Sequence, residues 1–185
     1  MNVNWKILAI GALLLIAGIT TAVMSFDPSQ VLQYIFIGIS VTIGVIAVAF
    51  GRQTKNNFVR SKYYLWIGFL LFALAISLSI WATTLVSFIM VLGFFLLVLG
   101  IIDFVFAQQI FNYQTPVPWS LLGIKLVIAT VTATGAAWIL TMVRIDANVS
   151  LLFLGLLFVV VGLAFLQLSR ITKTFEQTVS TTMNN

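Results

Sequence analysis

The chain has 185 residues, 62% of them hydrophobic and 7% charged, with 9 Lys and Arg against 4 Asp and Glu and a formal net charge of +5. Ordinary soluble domains carry about 25% charged residues, so lipid must be the solvent for most of this surface, and one membrane domain leaves no room for a separate soluble one. Cysteine and histidine are both absent, which removes thiol chemistry, disulfides, Cys/His zinc sites, histidine bases and imidazole pH sensing.

The first apolar run, 7–26, follows Trp5 and Lys6. A signal peptide competes for any such N-terminal run, but no small-x-small cleavage site follows and further spans do. Phe26-Asp27-Pro28-Ser29 reads as a turn in which Asp27 caps the next helix and Pro28 takes its first position. The second span covers about 30–50. Gly51 to Lys62 is the longest polar connection and holds Arg52, Lys55, Arg60 and Lys62. Tyr63, Tyr64 and Trp66 read as interfacial aromatics opening a third span, about 63–81. Trp81 to Thr84 makes a tight turn into the most apolar run, 85–111. A polar connection with Pro116 and Pro118 leads to Trp119 and a fifth span, about 119–142, rich in small and β-branched residues. Arg144 to Asn148 turns the chain into a sixth span, about 149–168, and the sequence from Ser169 onward is polar.

The expected architecture is therefore an all-α integral membrane protein with six transmembrane helices. They form three repeated two-helix hairpins, at about 5–52, 62–111 and 118–170, with a polar cytoplasmic tail over 171–185. A membrane β-barrel would alternate apolar and polar residues along each strand, and these runs do not. Eight of the nine bases fall on one side of the spans and only Arg144 on the other. The positive-inside rule then predicts cytoplasmic N- and C-termini. The same rule accounts for the basic 51–62 loop through anionic lipid headgroups at the cytoplasmic face, and nucleic acid is not expected as a partner. Homo-oligomerisation stays open.

Gly44, Gly100 and Gly162 lie at similar depth in the second, fourth and sixth spans, and Gly11, Gly68 and Gly123 near the starts of the first, third and fifth. A two-span unit used three times keeps each copy in one orientation, with a pseudo-symmetry axis along the membrane normal. Glycines recur seven apart at Gly11/Gly18, Gly44/Gly51, Gly93/Gly100 and Gly155/Gly162, and none four apart. Seven residues return to nearly the same helix face, so these glycines predict left-handed, near-parallel helix packing.

On three sets of residues the chain resembles the HdeD-like acid-resistance membrane proteins. They are the aromatic-led first helix of each hairpin (Trp5, Tyr64 with Trp66, Trp119), the Phe-Asp-Pro turn at 26–28, and the second-helix pattern Leu-Gly-x6-Gly-Ile/Leu at 92–101 and 154–163. The first hairpin departs from that pattern with Ile37 in place of its first glycine, and the second and third turns lack the proline. The resemblance covers all three hairpins. It implies a bacterial inner-membrane protein linked to acid or envelope stress tolerance, with no reaction chemistry or cofactor to carry over.

Chemistry has few places to sit. No histidine base, carboxylate dyad or phosphate-cradling loop accompanies the serines and threonines, so no enzyme is expected. The acids Asp27, Asp103, Asp146 and Glu176 are widely separated, so no carboxylate metal site is expected. Asp103 and Lys125 are the ionisable residues inside apolar runs, each about six or seven residues, roughly 10 Å, below the expected cytoplasmic boundary. Intramembrane charges of this kind are usually paired or functional. The readings for the two residues are an ion pair across the fourth and fifth spans, a Lys125 that snorkels to the interface beside an Asp103 bonded to hydroxyls or water, or proton or substrate handling. A small transporter or channel for protons, ions or a small solute is the alternative function. The repeat and the small-residue fifth span favour it; the lack of a helix-breaking proline or a polar stripe opposes it.

Overall fold

The computed structural model describes residues 5–25, 31–53, 58–111 and 119–183. It contains six α-helices: α1 (Trp5–Met24), α2 (Val31–Gln53), α3 (Phe58–Trp81), α4 (Leu85–Phe111), α5 (Trp119–Met142) and α6 (Ala147–Met183). All six are long and apolar enough to cross a membrane. Among the described residues there is no strand.

Local chemistry sets the helix ends that are described. The Thr84 hydroxyl accepts a bond from the Ser87 amide at 3.1 Å, and Ser87 Oγ accepts from the Thr84 amide at 2.9 Å. This reciprocal cap satisfies donors that the first turn of α4 leaves free. Asp146 Oδ1 accepts the Asn148 and Val149 amides at 3.0 Å each and starts α6. The cap expected from Asp27 and Pro28 lies outside the described residues.

Two boundaries differ from the sequence reading. α3 begins at Phe58, about a turn and a half before Tyr63, because the polar residues ahead of the apolar run continue the helix. α6 runs through the polar segment after Ser169 to Met183, so most of the tail is helix. Its run of Lys, Phe, Glu, Gln and Thr holds no glycine or proline to end it.

Each helix packs on its neighbours in sequence and α1 packs on α6, so chain order is the order around the bundle and the ring closes on itself. The tightest pairs are α1/α6, α2/α3 and α4/α5. Each joins one hairpin to another; the two helices inside a hairpin touch less closely. The bundle is thus held at the seams between hairpins.

Glycine makes those seams. Among the described residues no glycine has positive φ, so space matters here and backbone freedom does not. In α1/α6 a Cβ on Gly18 would stand 2.7 Å from the Gly155 carbonyl oxygen, and one on Gly162 2.9 Å from that of Gly11. In α2/α3 a Cβ on Gly44 would meet the Gly68 oxygen at 3.4 Å. In α4/α5 a Cβ on Gly100 would lie 2.9 Å from the Ala133 amide nitrogen and 3.1 Å from the Ala129 oxygen, and one on Gly93 3.0 Å from Leu140. The residue opposite Gly100 that corresponds to Gly11 and Gly68 is therefore Ala129. Gly123, expected in that role, faces open space.

Two apolar layers fill the interior. One, at the end where α2, α4 and α6 begin, centres on Phe36, which packs edge-on to Phe88 at 5.6 Å and tilted against Phe158 at 5.3 Å. The other, at the end where α1 begins, contains Ile7, Ile10, Phe50, Tyr63, Tyr64, Phe106, Phe165 and Leu168. Outside, Phe69, Ile76, Phe94, Ile101, Val127 and Val160 are exposed, as expected of a surface solvated by lipid. Trp5, Trp66 and Trp119, all more than 60% exposed, stand near the starts of their apolar spans, where an interfacial belt would place them.

Candidate functional site

The second apolar layer encloses the polar cluster on which the candidate site is built. Asp103 projects from α4, about three turns below the Leu92 level, on the inward stripe that also carries Leu96 and Phe106. Lys125 projects from the first two turns of α5, on the face continued by Ile128 and Thr132. The structure brings the two together: Lys125 Nζ lies 2.8 Å from Asp103 Oδ1, and the residues are 2% and 0% exposed. Lys125 does not snorkel. Its four-carbon stem is spent crossing to α4, and its head is inside the bundle.

Tyr63 of α3 is the third member, and the sequence reading missed it. Its hydroxyl donates to Asp103 Oδ1 and accepts from Lys125 Nζ. The Tyr63 ring stacks on Phe106 at 4.0 Å with planes 23° apart. The sequence reads Tyr63 and Tyr64 as interfacial beside Trp66, yet both are only 4% exposed while Trp66 is 65% exposed. Helical geometry explains the split: Tyr63, Ile67, Leu74 and Leu78 recur at the spacing of one face, and all are buried. Trp66 lies off that face. That spacing was available in the sequence, but the lipid-facing side of α3 is equally apolar and masks the stripe.

Aromatic rings finish the enclosure. Lys125 Nζ is 4.4 Å from the Tyr63 ring centroid, 5.2 Å from that of Phe165 and 5.8 Å from that of Phe106. Cation–π attraction gains strength where water is excluded, reaching about 2 kcal/mol. Three helices, α3, α4 and α5, thus converge on one carboxylate, and α6 supplies a wall through Phe165. Opposite charges neutralise each other in place, which is how a membrane interior tolerates ionised groups.

Apart from Gly123, the glycines named above are packing positions at the helix seams and take no part in this cluster. Among the described residues no group of three or more His, Cys, Asp or Glu could hold a metal ion. What the cluster can do is bind α3, α4 and α5 together through charge-assisted hydrogen bonds, and, on ionisable groups, hold or pass a proton.

The fold and site together define a polytopic helical membrane protein with a buried Tyr–Asp–Lys triad. No family model, curated protein or solved structure matches the chain.

Proposed function

We propose that this chain is a non-enzymatic, HdeD-like protein of the bacterial inner membrane that supports tolerance of acid or envelope stress, with both termini in the cytoplasm. The resemblance in motifs motivates the stress role. The observation that carries the non-enzymatic reading is the triad's enclosure: Tyr63, Asp103 and Lys125 bond to one another and are all at least 96% buried, so the polar cluster acts as a lock between helices.

The proposal includes a three-fold repeat of the hairpin about an axis along the membrane normal. Its support is one contact made three times: a glycine of a second helix set against a backbone oxygen of a first helix, as Gly162 on Gly11, Gly44 on Gly68 and Gly100 on Ala129.

Growth and membrane-potential measurements on a deletion strain under acid challenge, with and without a complementing copy, test the function. The proposal expects a survival defect that the wild-type copy repairs; equal survival of deletion and parent strains would refute it. The second reading, a small transporter or channel for protons, ions or a solute, draws on the gathering of three ionisable groups at one depth. Proton flux in vesicles reconstituted with the purified protein separates the two, since a lock carries none.

A further inference from the structure

The hydrogen bonds around Asp103 are lopsided. Tyr63 and Lys125 both donate to Oδ1, while Oδ2 is buried and has no partner among the described residues. A bare carboxylate oxygen in an apolar layer carries a desolvation penalty that its neighbour's bonds do not relieve. A second buried atom shares this condition: Thr132 Oγ1 on α5, whose residue is 0% exposed. Hydroxyls inside these helices ordinarily bond back one turn, as Thr21 does to Ala17, Thr42 to Gly38, Ser79 to Ala75 and Thr134 to Thr130. Thr132 has the same option at Ile128 and does not take it.

The packing register of α4 on α5 sets the two residues at neighbouring levels. Thr132 follows Lys125 by seven residues, so it lies on the face of α5 that Lys125 presents to Asp103. Gly100 packs against Ala129 and Ala133, which fixes the α4/α5 register. Thr132 is then about level with Gly100, three residues along α4 from Asp103, an axial offset of about 4.5 Å. One molecule making two bonds of about 2.8 Å spans that interval.

We infer that Asp103 Oδ2 and Thr132 Oγ1 form a binding site for a single internal water molecule. The local charge selects a neutral ligand. Asp103 is already balanced by Lys125 at 2.8 Å, so a metal cation arriving at Oδ2 would meet the ammonium's repulsion without a free negative charge to offset it. Water supplies the missing donor to Oδ2 and bonds the threonine hydroxyl, matching two polar partners of the kind buried waters use. With the water and Thr132 the triad becomes a five-member network that extends from α3 through α4 and about two turns deeper along α5. This inference rests on the geometry of the cluster alone and is independent of the acid-tolerance proposal.

Infrared spectra of the purified protein in ordinary and oxygen-18 water, for wild type and Thr132→Val, test it. Valine keeps the shape of threonine and removes the hydroxyl. The expected result is an isotope-sensitive O–H stretching band of an isolated water in the wild type, lost in the variant, together with a lower Tm. Thr132→Ser should keep the band and Thr132→Ala should lose it, which preserves the test if the valine variant does not fold. An unchanged isotope-sensitive spectrum in the hydroxyl-free variant would overturn the inference. A raised Tm in Thr132→Val would overturn it as well, because deleting a hydroxyl without a partner relieves a penalty. A lowered Tm with no isotope-sensitive band in either protein would also overturn it, leaving a direct bond between the two side chains.

Discussion

Removing the charge from Lys125 alone should do more damage than removing both charges of the pair. At 2.8 Å two unit charges attract by about 6 kcal/mol at an effective dielectric near 20. Withdrawing each ion from water costs several kcal/mol, so the net worth of the intact pair is small. Lys125→Met strips Asp103 of its counter-charge and leaves the Tyr63 hydroxyl as the one side-chain donor to Oδ1. Asp103→Asn leaves the ammonium among Tyr63, Phe106 and Phe165 without a carboxylate. Breaking a buried pair from either side typically costs about 3–5 kcal/mol, so each single variant should melt well below the wild type in detergent. The double variant Asp103→Asn/Lys125→Met contains no buried charge and should recover most of the loss. Thermal or denaturant unfolding of the four proteins gives the coupling energy directly. Additive effects, with the double variant the least stable of the four, would refute the reasoning, because they would mean that each ion is solvated independently of the other.

Three further outcomes follow from named contacts. Tyr63→Phe should keep the stack on Phe106 and lose the bonds to Asp103 and Lys125, lowering stability by about 1.5–3 kcal/mol in the same unfolding assay; no change would remove tyrosine from the network. Gly155→Ala should destabilise strongly, since its Cβ would stand 2.6 Å from the Ala22 amide nitrogen and 2.8 Å from the Gly18 oxygen, whereas Gly38→Ala and Gly123→Ala meet nothing within 4 Å and should gain up to about 1 kcal/mol from helix propensity. Equal melting of the three variants would contradict the seam. Single cysteines at Gln53, Thr115 and the C-terminus, in a chain with no native cysteine, should all be shielded from an impermeant reagent added outside intact cells; labelling of any one would overturn the orientation.

The helices were legible because hydropathy and turn residues coincide. Thr84 and Asp146 mark the starts of α4 and α6 in the sequence and cap them in the structure. The meeting of Asp103 and Lys125 was legible from matched depth on consecutive antiparallel spans. Tyr63 was not, because in lipid both faces of a helix are apolar and periodicity loses contrast. An aromatic beside Trp66 looks interfacial whichever way it points. The seams were half legible: glycine spacing marked the packing faces, but which helix lies against which depends on how the ring closes. Sequence adjacency suggested hairpin partners, while Gly18 and Gly155, far apart in the chain, lie in backbone contact. The sequence also aligned Gly123 with Gly11 and Gly68, because a glycine is easier to see than the alanine, Ala129, that takes the position.

The claim that the triad locks the bundle and performs no chemistry is tested most directly by survival under acid challenge of the deletion strain carrying the Asp103→Asn/Lys125→Met double variant, at a membrane level matched to wild type. The account predicts survival equal to that given by the wild-type copy, since helix packing is restored without either charge. A double variant that reaches the membrane at the wild-type level and stability yet leaves the cells as acid-sensitive as the deletion strain would contradict it, and would assign the ionisable groups themselves to the function.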